Sequence, residues 1–118
     1  MLTVKPGVAF AVIAPAGWRI LEAVRRASHA LDTDLMITSG TDGEHSGPAD
    51  PHHTGEAFDI RSNIYQPPFR EKVLATIMAD LNWAQFYGFL EDPGLPNEHY
   101  HIQRAKGMTF SFADYLKG

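Results

Sequence analysis

The sequence predicts an α+β domain with a small, mostly antiparallel sheet flanked by two main helices. Two stretches place apolar side chains at spacings of three and four residues, the period of a helix with one buried face. Other stretches are shorter and end at clusters of glycine, proline or aspartate, as strands do. The chain has 118 residues and neither an internal repeat nor a linker, so residues 1–118 are expected to form a single domain.

The first half of the chain is predicted to supply one helix and the first strands. Residues 8–16 are expected to form an early strand and turn. A helix should follow and end near Asp32, with Arg19 on its solvent-facing side and a buried face formed by Ile20, Val24, Ala27 and Leu31. Residues 35–38 read as a short buried strand. The stretch from 40 to 55 is rich in glycine, proline and histidine, and a long irregular segment of this kind in a small domain is typical of a functional site.

The second half is predicted to contain the other main helix and the remaining strands. Pro67-Pro68 suits the first turn of a helix, and Phe69, Val73, Ile77 and Leu81 would form its buried stripe. Residues 83–90 and 98–103 are expected to be strands separated by a prolyl turn. The tail, residues 108–116, carries two phenylalanines and a tyrosine and is expected to close over the core.

Composition and charge exclude several classes of function. The chain has no cysteine, so thiolate metal sites, disulfides and cysteine nucleophiles are excluded. Its net charge of -4 argues against a nucleic-acid or anionic-membrane binder. No stretch approaches the ~20 apolar residues that a membrane span needs. Residues 8–16 have poor flanks for a signal peptide, because Pro6 and Gly7 precede them.

Histidines and carboxylates in two segments have the makings of a hydrolytic metal site. His52 or His53 lies in a loop that enters a strand, Asp59 lies on that strand, and His101 lies on a later strand. Two imidazoles and one carboxylate supply three ligands to a metal and leave a fourth position open. A loop that doubles back through Gly55 can bring a histidine beside Asp59, because glycine permits backbone conformations and close approaches denied to other residues.

Strand alternation and position rank the remaining polar residues. Ala57, Asp59 and Arg61 should share one strand face, and His99 should share a face with His101. Glu98 could act as the base. Taken singly, these residues have ordinary structural interpretations: Asp59 as a backbone cap, His99 and His101 as half-buried strand residues, and Glu98 and His45 as surface groups. Their joint pattern favours a site.

The motif resembles that of a known family of zinc peptidases. The run His52-x-x-Gly55-x-Ala57-x-Asp59, followed by Glu98-x-x-His101, is similar to the signature of the D-Ala-D-Ala carboxypeptidases and dipeptidases. This group includes phage L-alanyl-D-glutamate endolysins and shares its fold with the Sonic hedgehog signalling domain. The resemblance covers residues 35–103. It implies that His52 rather than His53, together with Asp59 and His101, binds one Zn²⁺ ion, and that Glu98 is the catalytic base.

Two departures from the family pattern concern the substrate. Family members often have serine at the position of Asp50. They usually have an arginine after a Ser-Gly pair, whereas here Ser39-Gly40 is followed by Thr41-Asp42. That arginine helps to hold a substrate carboxylate or a polarised carbonyl. Its absence weakens the case for a strict carboxypeptidase and leaves endopeptidase cleavage open. The candidates for contacting substrate or supporting the ligands are Ser39, His45, Arg61 and His99.

The resemblance implies a zinc metallopeptidase that hydrolyses a peptide bond in peptidoglycan stem peptides. The protein is expected to be a monomer. Without a clear signal peptide, either a cytoplasmic enzyme or a phage enzyme released at lysis would fit. One alternative is a zinc-stabilised binding module of the same fold that has lost turnover, although Glu98 argues against it. Another is a non-haem iron oxygenase, which also uses two histidines and a carboxylate. Such enzymes generally place the carboxylate two residues after the first histidine, unlike this chain.

Overall fold

The computed structural model of the protein describes residues 1–43 and 49–117, and this part of the chain forms five strands and three helices. In chain order they are β1 Leu2–Val4, α1 Pro15–Ala30, β2 Leu35–Ser39, β3 Ala57–Arg61, α2 Pro67–Ala79, β4 Phe86–Glu91, β5 His99–Arg104 and α3 Phe112–Lys117. The strands form one sheet in the order β1-β2-β3-β5-β4. The predicted α+β class is confirmed.

The sheet is mixed, which corrects the prediction of a mostly antiparallel one. β1 pairs in parallel with β2, with Leu2 opposite Leu35, and α1 is the crossover between the two strands. β2, β3, β5 and β4 pair in antiparallel fashion. The early strand and turn predicted at residues 8–16 are also wrong: residues 8–14 are irregular and α1 begins at Pro15. A three-residue strand is too short to show alternation, so the sequence pattern does not reveal β1.

Both main helices pack against the same face of the sheet. α1 contributes Ile20 and Val24 to the core and α2 contributes Val73 and Ile77, which meet the strand residues Leu35, Ile37, Phe58, Ile60, Phe86, Tyr100 and Ile102. Each helix has proline in its first turn, where a missing backbone N–H costs nothing. The predicted α1 face is correct except at Arg19. Its side chain is buried because it reaches Asp80, beyond the end of α2, and forms an ion pair 3.0 Å long.

The later strands and the tail follow the predictions with shifted ends. β4 starts at Phe86 rather than residue 83, because the Asn82 side chain accepts a hydrogen bond from the Ala84 amide and holds a turn there. The tail covers the core only in part. Phe110 packs against the core, but Phe112 is exposed and α3 buries no residue.

The sheet face opposite the helices carries the polar residues. Tyr100 and Ile102 point into the core, so by alternation His99 and His101 lie on the other face. In the same way Phe58 and Ile60 are buried beneath the helices, while Asp59 and Arg61 lie opposite. Because α1 and α2 pack on the core face, this polar face stays accessible for a site.

Candidate metal centre

Two adjacent strands bring Asp59 and His101 together. β3 and β5 are antiparallel, and Asp59 is directly opposite His101 in their register. Facing side chains in such a pair have Cβ atoms about 4.5–5.5 Å apart. The Oδ1 atom of Asp59 is 3.1 Å from Nδ1 of His101. The two segments of the motif, separated by 42 positions, therefore meet through ordinary strand pairing.

The third member of the group, His52, comes from the loop before β3. Gly55 has a φ of +75°, and a Cβ at this position would overlap the carbonyl group of Val12. The predicted role of Gly55 is thus confirmed on both counts, positive φ and close approach. Its N–H donates to the His52 carbonyl oxygen at 3.2 Å, and the His52 N–H donates to Oδ1 of Asp50 at 2.9 Å. This tight turn sets His52 above the start of β3.

The three donor atoms form a nearly equilateral triangle. His52 Nε2 is 3.0 Å from Asp59 Oδ1 and 3.3 Å from His101 Nδ1, and the third edge is the 3.1 Å from Asp59 to His101. In a tetrahedral zinc site with metal–ligand distances of about 2.0–2.2 Å, ligand atoms are about 3.3–3.5 Å apart. The spacing is therefore close to that of three ligands on one metal ion, and this group could hold a metal ion.

In each imidazole, the hydrogen-bond partner of the nitrogen that points away from Asp59 determines which nitrogen carries the proton. His52 Nδ1 is 3.0 Å from the Gly40 carbonyl oxygen, which can only accept, so Nδ1–H donates. His101 Nε2 is 2.7 Å from Oε1 of Gln103, whose amide nitrogen donates to the Arg104 carbonyl oxygen at 2.9 Å. Both neutral rings then direct a lone pair at Asp59. Metal-binding histidines are typically oriented by such carbonyl and amide partners.

Three lone pairs facing one another require a positive charge between or upon them. Burial works to raise the pKa of Asp59, but the hydrogen bonds with His101 and His52 and the charges of His52 and His99 outweigh it and hold that pKa well below its usual range. Burial works to lower the pKa of His101, yet the hydrogen bonds with Asp59 and Gln103 and the charge of Asp59 raise it. A proton on an imidazole or a bound cation relieves this repulsion, so the donor set fits a metal ion.

His53 occupies a different position from His52. Its Nε2 atom lies 3.2 Å from the Gly43 carbonyl oxygen, and it is not one of the three residues whose donor atoms converge. His45 belongs to residues 44–48, which lie outside the described part of the chain.

His99 lies beside the donor set on the same face of β5. Its Nδ1–H donates to the Asn97 carbonyl oxygen at 2.7 Å. Its Nε2 atom is 3.2 Å from Oε1 of Glu91 and 3.5 Å from Oδ2 of Asp59. The prediction that His99 and His101 share a face is confirmed, and the structure adds that Asp59 lies beside both.

Glu91 also lies on this face, and it is not among the site residues predicted from the sequence. It ends β4 directly opposite His99, and its Oε1 atom is 3.9 Å from Nδ1 of His101. The predicted strand stopped at residue 90. Extending its alternation by one residue and pairing it with the histidine strand is the signal that could have identified Glu91.

Glu98 immediately precedes β5, and its carboxylate is held by residues outside the donor set. Its carboxylate accepts hydrogen bonds from Ser62 Oγ at 2.8 Å, Arg70 Nη1 at 2.8 Å and the Gly94 N–H at 2.9 Å. The hydrogen bond from the Gly94 N–H lowers the pKa of Glu98 most, and the Ser62 hydrogen bond and the charge of Arg70 lower it further. Burial works to raise this pKa, but the net effect is a lowered pKa. Glu98 is therefore ionised near neutral pH, and its role as the base stays a prediction.

Ser39 and Arg61 also lie at this face. The pairing of β2 with β3 shifts by one residue between Ile37 and Ser39, and Ser39 is opposite Asp59. Such a bulge re-aims the following side chain, so Ser39 leaves the face of Ile37. Arg61 is opposite His99. Both residues line a cleft that also contains Asp59, and their contact with a substrate stays a prediction.

Two clefts meet at the donor set. One, of about 390 Å³, contains His52, Asp59 and His101 together with the carboxylates of Asp50, Glu91 and Asp92. The other, of about 290 Å³, contains Lys5, Ser39, Arg61 and Glu98. Asp59, Asn97 and His99 border both clefts. A peptide could therefore pass over the three donor atoms from one cleft to the other.

Comparisons of the chain with models of known protein families, with curated proteins and with solved structures find no match. Within residues 1–43 and 49–117, no helix combines the length and the apolar character needed to cross a membrane.

Proposed function

We propose that this protein is a zinc-dependent hydrolase of peptide bonds. The observation that carries the proposal is the triangle of His52 Nε2, Asp59 Oδ1 and His101 Nδ1, whose edges measure 3.0, 3.1 and 3.3 Å at the junction of two open clefts. Structural zinc sites are closed by four protein ligands, whereas hydrolytic sites have three and one open position. The described donor set has three.

Zinc is the metal that this donor set favours. Two imidazole nitrogens and one carboxylate oxygen at a tetrahedral spacing suit Zn²⁺, and calcium and magnesium prefer shells of oxygen atoms. A bound zinc ion would supply a Lewis acid that polarises a carbonyl group and makes water nucleophilic near neutral pH. The same two-histidine, one-carboxylate set also occurs in iron enzymes, so the metal content must be measured.

The chain's own residues would hold the ligands and move the proton. The Gly40 carbonyl and Gln103 hold the two imidazoles in the tautomers that ligation requires. Glu98 is the proton acceptor that the family resemblance implies, and its lowered pKa keeps it ionised, as a base must be before it accepts a proton. A low pKa also makes it a weak base. Glu91, which faces His99 and His101, is the competing carboxylate.

Peptidoglycan stem peptides are the proposed substrates. This part of the proposal rests on the resemblance of His52-x-x-Gly55-x-Ala57-x-Asp59 and Glu98-x-x-His101 to the zinc carboxypeptidases and endolysins. The geometry adds a site that is open on two sides and lined by charged groups, which suits a charged peptide better than an apolar ligand. The alternative is a zinc-stabilised binding module, which would have the same site geometry but would not hydrolyse the peptide.

The decisive experiment measures cleavage by protein of known metal content. Wild type, Glu98→Gln and Glu91→Gln are loaded with one equivalent of zinc and incubated with purified muropeptides, and the products are identified by mass spectrometry. We expect wild type to cleave one amide bond, Glu98→Gln to keep its zinc while losing at least about 10²-fold in rate, and Glu91→Gln to stay active.

The other outcomes are equally informative. A fast Glu98→Gln enzyme and an inactive Glu91→Gln enzyme would transfer the role of base to Glu91. Zinc-loaded wild type that cleaves no muropeptide would contradict the proposed activity and support the binding module. The masses of the products also distinguish removal of a terminal residue from internal cleavage.

A further inference from the structure

The cleft on the Lys5 side of the donor set contains two cationic side chains. Lys5 follows β1, and its backbone N–H donates to the Ile37 carbonyl oxygen at 2.9 Å, so it continues the parallel pairing with β2. Arg61 ends β3 on the face of Asp59, two residues along the strand. Two residues of a strand span about 6.6 Å. The backbone of Arg61 is therefore about two residues of an extended peptide away from that of Asp59.

The charges of Lys5 and Arg61 have no carboxylate partner in residues 1–43 and 49–117. Arg19, Arg70 and Arg104, by contrast, each form an ion pair with an aspartate or a glutamate. The two carboxylates that border this cleft are already engaged, Glu98 by Arg70 and Asp59 by the histidines. The cleft therefore presents two cationic side chains that form no ion pair with a carboxylate of residues 1–43 and 49–117.

The opposite cleft carries the opposite charge. Asp50, Glu91 and Asp92 border it together with the histidines. Asp59, a member of the donor set, borders both clefts, so the charges of each cleft act on a ligand that reaches the donor atoms. An anionic group on a substrate is repelled from the Glu91 side and attracted to the Lys5 side, which gives the substrate a direction.

We propose that Lys5 and Arg61 form a subsite for a carboxylate of the substrate, within about two residues of the bond that is cleaved. The inference rests on the proposed function, because it takes the donor set as the reaction centre. Arg61 can bind a carboxylate through two parallel N–H donors, and Lys5 supplies a point charge. The carboxylate is that of a peptide C-terminus or of an acidic side chain.

Binding of matched peptides to the zinc-loaded protein tests the subsite without relying on turnover. The probes are an acetylated alanine dipeptide with a free C-terminus, its C-terminal amide, and an amidated dipeptide with a glutamate side chain. Affinities are measured by titration of amide chemical shifts in ¹⁵N-labelled protein. We expect wild type to bind at least one of the two acids about tenfold more tightly than the neutral amide. Which acid it prefers identifies the source of the carboxylate.

Variants of Lys5 and Arg61 test whether these residues cause the preference for acidic peptides. In Lys5→Gln/Arg61→Gln the ratio of acid to amide affinity should fall towards one, while zinc content and melting temperature stay at the wild-type values. Lys72→Gln removes an exposed cation on α2, away from both clefts, and should keep the wild-type ratio. Equal affinity of wild type for all three peptides, or an unchanged ratio in the double variant, would overturn the proposal.

The subsite and the proposed function can fail separately. If wild type prefers an acidic peptide but cleaves none of the muropeptides, the subsite stands and the hydrolase proposal fails. If wild type cleaves muropeptides but binds acid and amide equally, the hydrolase proposal stands and the subsite fails.

Discussion

At the scale of single residues, the hydrogen-bond partners of the histidines decide what the site can bind. A histidine ligates a metal through an unprotonated nitrogen, so the group on its other nitrogen sets both its tautomer and its orientation. Gln103 does this for His101, and the Gly40 carbonyl does it for His52. Only the Gln103 contact is made by a side chain and can be removed by substitution.

Replacing Gln103 should weaken metal binding without removing a ligand. Gln103→Met has a similar length but no oxygen to accept the Nε2–H of His101, so the proton is free to move to the nitrogen that faces Asp59. Losses of this kind typically cost about 10–100-fold in metal affinity. Competition with a zinc chelator measures the change. Gln66→Met, at an exposed position before α2, is the matched control and should bind zinc like wild type.

The ion pair between Glu98 and Arg70 should make stability depend on acid. The pKa of Glu98 is lowered in the folded protein, so its contribution is fully present above the unfolded value of about 4.3 and is lost as the pH falls through the folded value. Arg70→Met removes the charged partner and raises the pKa of Glu98. Breaking a fully buried ion pair typically costs about 3–5 kcal/mol of stability. We expect Arg70→Met to cost less than this, because Arg70 is partly exposed to solvent.

Urea unfolding of the metal-free protein between pH 7 and pH 3 measures this effect. Arg70→Met, in which the pKa of Glu98 is closer to its unfolded value, should be less stable than wild type at pH 7 and should lose less stability than wild type as the pH falls to 3. Glu98→Gln lacks the titrating group and controls for the other carboxylates, so the difference between wild type and Glu98→Gln should shrink as the pH falls. Parallel pH curves for all three proteins would contradict the assignment.

At the scale of elements, the site depends on how a loop is fixed against a helix and a strand. The His52 turn packs through Gly55 against residues 12–14 just before α1, and the Ala14 N–H donates to the Gly55 carbonyl oxygen at 3.2 Å. Gly17 in the first turn of α1 is equally close, because a Cβ there would overlap the same carbonyl group. The loop, the start of α1 and β3 therefore hold the candidate ligand His52 as one unit.

A methyl group at Gly55 should disturb both the fold and the metal site. Gly55→Ala introduces the strain of a positive φ, about 1–2 kcal/mol, and a clash with the Val12 carbonyl group. Gly107→Ala is the matched control, because Gly107 has a φ of +79° with no atom within 4 Å of the added methyl group. Thermal unfolding and zinc titration of both variants should show a larger loss of stability for Gly55→Ala, and weaker zinc binding for that variant alone.

At the scale of the whole molecule, metal binding and folding should be coupled. The three ligands come from separate segments, the loop before β3, β3 itself and β5, and unfolding separates them. A ligand that binds only the folded state stabilises it by RT ln(1 + [L]/Kd), or about 2.7 kcal/mol at a hundredfold excess over Kd. For a chain of this length that corresponds to a rise in Tm of about 10 °C.

Thermal melts with and without zinc test this coupling and the choice of histidine together. Wild type and His53→Ala should both gain about 10 °C when zinc is present at a hundredfold excess over Kd, and a chelator should abolish the gain. His52→Ala should gain much less. A variant pair with the opposite behaviour would mean that His53 is the ligand.

Much of this arrangement can be predicted from the sequence, because it depends on local patterns. Helical periodicity locates α1 and α2, and strand alternation puts Asp59 on one face of β3 and His99 and His101 on one face of β5. The role of Gly55 can also be predicted, since a turn that returns a loop to a strand needs the conformational freedom of glycine. These features are properties of short segments.

Only the tertiary structure decides which segments meet, because contacts between distant residues leave no periodic trace in the sequence. Strand order brings Lys5 and Glu91 to the two sides of the donor set, and helix packing buries Arg19 against Asp80 and pairs Glu98 with Arg70. The sequence by itself therefore determined the two main helices, the faces of the strands that carry Asp59 and His101, and the candidate ligands. The fold decided the strand register, the charge of each cleft and the partners of Arg19, Glu98 and Asp59, since these depend on distances through space.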